Sequence, residues 1–207
     1  MRNLERTTLT RVRWGGAAAV LAGLSYGAAG LLDRPGISGY AAALVSVLSI
    51  AIPAMFLGAL LGLHSRILLG AGSSFTGGAG FLLGCLGAML GVSDAVGLEQ
   101  TFLGPTRIGS WWWALLLAGL TLMGLAALPK RGLWSLGVSV LVSATLGWVS
   151  LLTDTAFPGV LVAMRPVHVV FAGLFCLSSV VGGWMLFVGP RSLMHPKPEG
   201  LRSDTNK

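Results

Sequence analysis

Charged side chains are scarce in this chain of 207 residues. Asp, Glu, Lys and Arg together make up 10% of it, whereas apolar residues make up 54%. An ordinary soluble domain carries about 25% charged residues. The composition therefore argues against a soluble globular domain and favours a protein that resides in a lipid bilayer.

Signatures of known chemistry are also lacking. The sequence contains no zinc-protease, serine-hydrolase or protein-kinase motif. Cys85 and Cys176 each lie within an apolar segment and form no CxxC pair, and apolar surroundings disfavour the reactive thiolate. His168 is predicted on the opposite side of the membrane from His64 and His195, with about 30 Å of hydrocarbon between them. We predict no metal site and no cofactor.

What the sequence does contain is a series of six apolar segments, each long enough to cross the hydrocarbon layer. They predict an all-α fold, a polytopic bundle of six transmembrane helices that occupies residues 14–189. The spans are predicted at about 14–32, 38–63, 75–93, 110–129, 133–152 and 166–189. Residues 1–13 form a basic cytoplasmic tail. Residues 190–207 form a polar cytoplasmic tail that we predict to be disordered.

The basic residues indicate how these segments are oriented. With the N-terminus in the cytoplasm, only Arg34, Arg107 and Arg165 of the 14 Lys and Arg residues fall in external segments. Cytoplasmic segments of membrane proteins carry an excess of Lys and Arg. The pattern predicts that both termini are cytoplasmic, in a bacterial cytoplasmic (inner) membrane. It also accounts for the net charge of +7 without a nucleic-acid partner.

Tryptophan placement agrees with this orientation. Indole rings are amphipathic and are enriched at both membrane–water interfaces. Trp14, Trp134 and Trp184 fall near predicted cytoplasmic ends of spans. The remaining tryptophans fall near predicted outer ends, and these are Trp111, Trp112, Trp113 and Trp148.

Small residues are abundant, with 31 glycines in the chain. The third span, from Phe75 to Ser93, contains two small-xxx-small pairs, Gly80 with Gly84 and Gly87 with Gly91. Such pairs let neighbouring helix backbones approach closely in a bilayer. We predict that this helix is the packing hub of the bundle. Ser73 and Ser74 precede it and are candidate N-cap residues.

A second small-residue stripe lies on the fifth span, where Ser135, Ser139, Ser143 and Gly147 recur every four residues. Four-residue spacing places these side chains on one face of a helix. We predict that this face meets another helix and forms interhelical hydrogen bonds. The glycine and serine faces also offer contact surfaces for an oligomer.

A weak internal repeat relates the two halves of the chain. Leu21–Ser25 in the first span resembles Leu117–Thr121 in the fourth, and Val45–Leu48 in the second matches Val138–Leu141 in the fifth. Three helices per repeat would place the halves in inverted orientations, as in many transporters. The match therefore predicts a 3+3 inverted repeat, which a superposition of the two halves tests.

The layout as a whole resembles a broad group of uncharacterised bacterial multi-helix membrane proteins. The resemblance is carried by Arg13–Gly16, which opens the first span, Gly58–His64, which closes the second, and Gly80–Leu90 in the third. These are Gly/Leu patterns rather than signature residues. The resemblance implies a six-span integral membrane protein and implies no particular activity.

Two functional interpretations remain. In the preferred one, the protein binds, transports or assists an apolar or neutral small molecule, a lipid or a partner helix, without catalysis. The candidate lining of its pathway is Ser46, Ser49, Pro53, Ser135, Ser139 and Ser143. In the alternative, the protein is an outward-facing intramembrane enzyme. Its acid, base or cation-binding groups are then Asp94, Glu99, Asp154 and His168 at the outer surface.

Overall fold

A computed structural model describes the backbone of residues 2–32, 39–71, 74–97, 111–130, 132–156 and 161–188. Side chains are described in the same ranges except at residues 2–6, 30, 70, 71, 153–156 and 161–169. This part of the chain is all-helical and contains no strand. Its helices are α1 (Arg2–Leu32), α2 (Tyr40–Ala71), α3 (Phe75–Ala95), α4 (Trp111–Ala127), α5 (Trp134–Ala156) and α6 (Leu161–Val188).

Four of these helices are long and apolar enough to cross a membrane. The crossing segments are Tyr40–Leu69 in α2, Phe75–Ala95 in α3, Trp134–Leu152 in α5 and Val170–Val188 in α6. The shorter helix α4 is also apolar. Large apolar side chains such as Leu82 point outward from the helices and are exposed, as lipid-facing residues are. These are the properties of a membrane-embedded protein.

The helix ends partly follow the sequence signals. Ser74 is the N-cap of α3, because its Oγ accepts a hydrogen bond of 3.0 Å from the backbone N–H of Gly77; this predicted cap is confirmed. Helix α2 continues through Pro53 and past Leu63 to Ala71. Helix α6 begins at Leu161, ahead of the predicted start. Residues 98–110 and 189–207, with the connections and the tail predicted there, lie outside the described residues.

The helices form a closed ring in chain order. Each of α2 to α5 packs against the helices before and after it, and α6 returns to pack against α1. Consecutive helices run in opposite directions. The ends of α1 and α3 meet the first halves of α2 and α4 around one cavity, and α5 runs antiparallel to α4, with Gly137 beside Gly124 and Gly147 beside Leu117. Helix α6 runs antiparallel to α1, with Gly183 beside Gly16 and Cys176 beside Gly23. The arrangement is an up-and-down bundle, with its N-terminal end at the start of α1.

Glycines close the N-terminal end of this ring. Gly15 and Gly62 bring α1 and α2 so close that a Cβ atom on Gly15 would overlap the Gly62 backbone. A Cβ atom on Gly16 would lie 2.6 Å from the carbonyl oxygen of Gly183, which brings α1 equally close to α6. Backbone atoms cannot move aside as side chains can. We call this end, defined by Gly15, Gly16, Gly62 and Gly183, the closed half.

Helix α3 uses its glycine face against α4. A Cβ atom on Gly80 would lie 2.8 Å from the carbonyl oxygen of Gly119, and one on Gly87 would lie 2.7 Å from the carbonyl oxygen of Trp112. Gly84 and Gly91 complete the face, and these four glycines are buried. The prediction that small residues of α3 allow close helix packing is confirmed. The prediction that α3 is the packing hub is wrong, because α3 packs against two neighbours as every helix of the ring does.

The helices separate toward the other end of the bundle. Along α1, a Cβ atom on Gly23 would lie 2.9 Å from the carbonyl oxygen of Cys176, but one on Gly27 would meet only the Cys176 Sγ, at 3.4 Å. On the facing helix, Gly173 has nothing within 4 Å of such an atom. Between α1 and α2, contact passes to longer side chains, with Ser25 Oγ 3.8 Å from the Met55 sulfur. The ring therefore opens at this end.

Candidate functional site

An aromatic cluster fills the middle of the ring. It consists of Tyr26 from α1, Phe56 from α2, Trp113 from α4 and Phe175 from α6. The ring of Trp113 lies 5.3 Å from that of Tyr26 and 5.7 Å from that of Phe175, both edge to face. Edge-to-face pairs at this separation are favourable because the positive ring edge meets the negative face. Four helices are thus joined at one level of the bundle.

A cavity of about 640 Å³ opens beside the aromatic cluster, at the end of the ring where the helices separate. Residues of α1, α2, α3, α4 and α6 line it, among them Tyr26, Ser49, Pro53, Asp94 and Trp113. We call this end of the bundle the cavity half and this space the large cavity. Large aromatic side chains hold α1 and α6 apart here, whereas glycines bring the same two helices together in the closed half.

A second, smaller cavity of about 100 Å³ lies between α1, α4, α5 and α6. Gly147 and Ser150 of α5 line it, together with Tyr26, Trp113 and Phe175 of the aromatic cluster. Tyr26 and Trp113 also line the large cavity. These two side chains therefore form a boundary between the two spaces.

The three consecutive tryptophans at the start of α4 have different environments. Trp111 is 66% exposed, as a ring at the membrane interface, the position predicted for all three, would be. Trp112 turns inward, because Gly91 and Pro53 leave room for it: a Cβ atom on Gly91 would lie 2.8 Å from the Trp112 ring. Trp112 stacks on Trp113 with ring centroids 4.6 Å apart. The pair forms part of the wall of the large cavity.

The predicted pathway residues of α2 lie on or near this cavity. Ser49 and Pro53 line it, and Ser46 lies one turn away. The hydroxyl of Ser49 donates to the carbonyl of Val45 at 2.9 Å, and that of Ser46 donates to the carbonyl of Ala42 at 3.1 Å. Each of these protons is therefore used within the helix.

The predicted pathway residues of α5 lie elsewhere, at the contact with α6. Ser143 Oγ lies 2.8 Å from Ser178 Oγ of α6 and 3.0 Å from the carbonyl oxygen of Ser139. Because the Ser178 hydroxyl donates to the Phe175 carbonyl, the single Ser143 proton bonds either Ser178 or Ser139. Ser135 is exposed. Since α2 and α5 are not neighbours in the ring, the six residues do not line one space among the described residues.

Of the four outer polar candidates, the structure describes the side chain of Asp94 alone. Asp94 is exposed and lies on the last turn of α3, where it lines the large cavity. Asp154 falls in α5 and His168 in α6, but their side chains are outside the described set, and so is Glu99 entirely. Within the described residues, no three His, Cys, Asp or Glu side chains form a group able to hold a metal ion.

Sequence reasoning missed the aromatic cluster. A signal was available, because Tyr26 is one of only two tyrosines in the chain and falls inside an apolar span. A tyrosine away from the interface needs surroundings that accept its hydroxyl group. The contact between Tyr26 and Trp113 was not predicted, because the sequence places Trp113 in a run of interfacial tryptophans.

No protein-family model, curated protein or solved structure matches this chain. Function must therefore be argued from the site itself. The site consists of the large cavity, the aromatic cluster beside it and the closed half below the cluster.

Proposed function

We propose that this protein binds an apolar or neutral small molecule or lipid in the large cavity and has no catalytic role. The observation that carries this proposal is the cavity itself, at about 640 Å³. Sites for small molecules are concave, mostly apolar, and enclose about 300–1,000 Å³. A transport step, or the delivery of the ligand to a partner protein, would use the same binding event.

The chemistry of the cavity wall supports an apolar ligand. Much of the lining consists of aliphatic and aromatic side chains, such as Leu31, Val45, Ile52 and Trp112. The Ser49 hydroxyl is bonded to its own helix and gives its proton to no ligand. A wall of this kind binds through dispersion and through the removal of apolar surface from water.

We further propose that the ligand enters from the outer side of a bacterial cytoplasmic membrane. This orientation, with both termini cytoplasmic, is supported by basic residues at the closed half, among them Arg11, Arg13, Arg66 and Lys130. Arg13 lies with its guanidinium carbon 5.2 Å from the centre of the Phe187 ring, a cation–π contact between α1 and α6. The close glycine contacts of this half oppose passage toward the cytoplasm.

We also propose that the bundle has six spans arranged as a 3+3 inverted repeat. Its support lies in the glycines of the two matching segments, Leu21–Ser25 and Leu117–Thr121. Gly23 of α1 packs on α6, the third helix of the other half, and Gly119 of α4 packs on α3. If a two-fold axis relates the halves, the first helix of each half must pack on the third helix of the other half. Superposing α1–α3 on α4–α6 tests it, and a failure to superpose would remove the repeat.

The binding proposal is tested by filling the cavity. Gly173 lines it and has nothing within 4 Å of a Cβ position, so Gly173→Leu places a side chain in the cavity without a clash. The matched control is Gly78→Leu, because Gly78 is equally open but does not line the cavity. Both variants are expected to retain their stability within about 0.5 kcal/mol, as substitutions in open positions do.

The probe is dodecanol that carries a diazirine on its chain, crosslinked by light to the purified protein. Wild type and Gly78→Leu are expected to be labelled on cavity-lining peptides, and mass spectrometry locates the label. Gly173→Leu is expected to lose most of that labelling. Equal labelling of all three proteins, or labelling confined to lipid-facing residues, would contradict the proposal.

A further inference from the structure

The geometry points to a ligand that carries a positive charge, namely an amphiphile with an apolar tail and a quaternary ammonium head group. This inference rests on the proposed function, because it concerns ligand binding in the same cavity, but it replaces the neutral head group proposed there with a positively charged one. It is carried by four side chains that line the large cavity together: Tyr26, Asp94, Trp112 and Trp113.

Charge is the first part of the argument. Asp94 is the one charged side chain in the described lining of the large cavity, which contains no lysine, arginine or histidine. Asp94 is exposed, so its attraction for a cation is partly screened by water and is modest. An anionic head group would meet the same carboxylate with no positive charge in this wall to balance it. The lining therefore selects a cation over an anion.

The aromatic side chains strengthen that selection. The faces of indole and phenol rings are negative and attract cations, Trp most strongly. Gly91 packs on the Trp112 ring, and Asp94 follows it by three residues, which places both on the same face of α3. The carboxylate of Asp94 and the indole of Trp112 thus line the same side of the cavity.

The type of cation follows from the surroundings of the carboxylate. Most of the described wall of the large cavity is aromatic and aliphatic, so a compact, strongly hydrated ammonium group would lose its water there. A quaternary ammonium group has no N–H to donate and is bound through its charge and methyl surface, as in aromatic cages. The aliphatic part of the lining, including Leu31, Val45 and Ile52, then accommodates the tail.

The test compares two probes with the same tail. Decyltrimethylammonium carries the charge, and decyldimethylphosphine oxide has a head group of similar size without a net charge. Equilibrium dialysis of the full-length protein in maltoside micelles, corrected for protein-free micelles, gives both affinities. Wild type is expected to prefer the cation by about tenfold, as one exposed charge pair and a cation–π contact together imply.

Asp94→Asn is expected to abolish this preference, with a loss of about tenfold in the affinity for decyltrimethylammonium. Asp94→Glu, which keeps the charge, is expected to retain it. Glu5→Gln is the matched control. It removes a carboxylate near the start of α1, whereas the large cavity is lined by the other end of that helix, so the preference should stay intact. Similar affinities of wild type for the two probes would overturn the cation inference and leave the proposed function standing. Binding of neither probe would overturn both.

Discussion

The closed half and the cavity half pack the same two helices, α1 and α6, in opposite ways. In the closed half, Gly16 and Gly183 bring two backbones into contact. In the cavity half, Tyr26 and Phe175, on the same two helices, keep them apart with rings 5.6 Å between centroids. Lipid tails are as apolar as the helix surfaces, so helices in a bilayer associate through packing rather than through the hydrophobic effect. Side-chain size alone can therefore decide where a bundle closes and where it holds a ligand.

The strongest way to break this comparison is to remove the central ring. Trp113→Ala deletes the side chain that contacts Tyr26, Phe56 and Phe175, and it would join the two cavities that Trp113 borders. Trp113 is partly buried, so we expect a loss of about 3 kcal/mol in the free energy of unfolding, the lower end of the usual cost of truncating a core aromatic residue. Unfolding by sodium dodecyl sulfate, followed by the helical circular dichroism signal, measures it.

The matched control is Trp111→Ala, since Trp111 is 66% exposed. It should change the free energy of unfolding by no more than about 0.5 kcal/mol, as surface substitutions do. Equal losses for the two tryptophans would show that the aromatic cluster does not hold the halves together.

A smaller effect tests the closed half. Gly16→Ala places a methyl group 2.6 Å from both the Gly183 carbonyl oxygen and the Phe187 backbone nitrogen, and α1 must move away from α6. Overpacking of this kind costs about 1–3 kcal/mol. The thermal unfolding midpoint in micelles should fall accordingly.

Gly27→Ala, on the same helix in the cavity half, provides the comparison. Its new methyl group meets only Cys176 Sγ, at an ordinary 3.4 Å, and alanine favours a helix over glycine by up to about 1 kcal/mol. The midpoint should stay or rise. A fall as large as that of Gly16→Ala would mean that the halves do not differ in closeness.

The smallest expected effect on stability concerns the hydrogen bond between α5 and α6. Ser143→Ala removes the hydroxyl that reaches Ser178 across the contact with α6. Interhelical hydrogen bonds in membrane proteins contribute about 0.6 kcal/mol on average. Ser46→Ala is the control, because that exposed hydroxyl bonds only its own helix. A double-mutant cycle with Ser178→Ala isolates the pair, and a coupling energy of zero would remove it from the list of stabilising contacts.

The helical class and the glycine face of α3 could be predicted because both follow from local spacing. The burial of individual side chains could not. In a bilayer, the outside of a helix is as apolar as the inside, so Leu60, fully buried, and Leu82, 69% exposed, look alike in the sequence. The stripe that reveals the core of a soluble helix is absent when lipid replaces water.

Two parts of the candidate site escaped prediction for related reasons. An indole suits the membrane interface and a helix bundle interior equally, so the sequence alone could not separate Trp111 from Trp113. Asp94 was assigned to a connection because charged residues usually end a span, but α3 continues through Ala95. A helix can extend past the hydrocarbon, and its last turn then contributes to the cavity wall.

The two thiols of the chain stand in different places relative to the ligand space. Cys176 is part of the large-cavity lining, whereas Cys85 lies partly buried on α3 and does not border that space. Alkylation of the wild-type protein by a small maleimide, with each cysteine quantified by peptide mapping, thus measures the ligand occupancy of the large cavity. A bound molecule slows the modification of Cys176, and the modification rate of Cys85 serves as the internal reference.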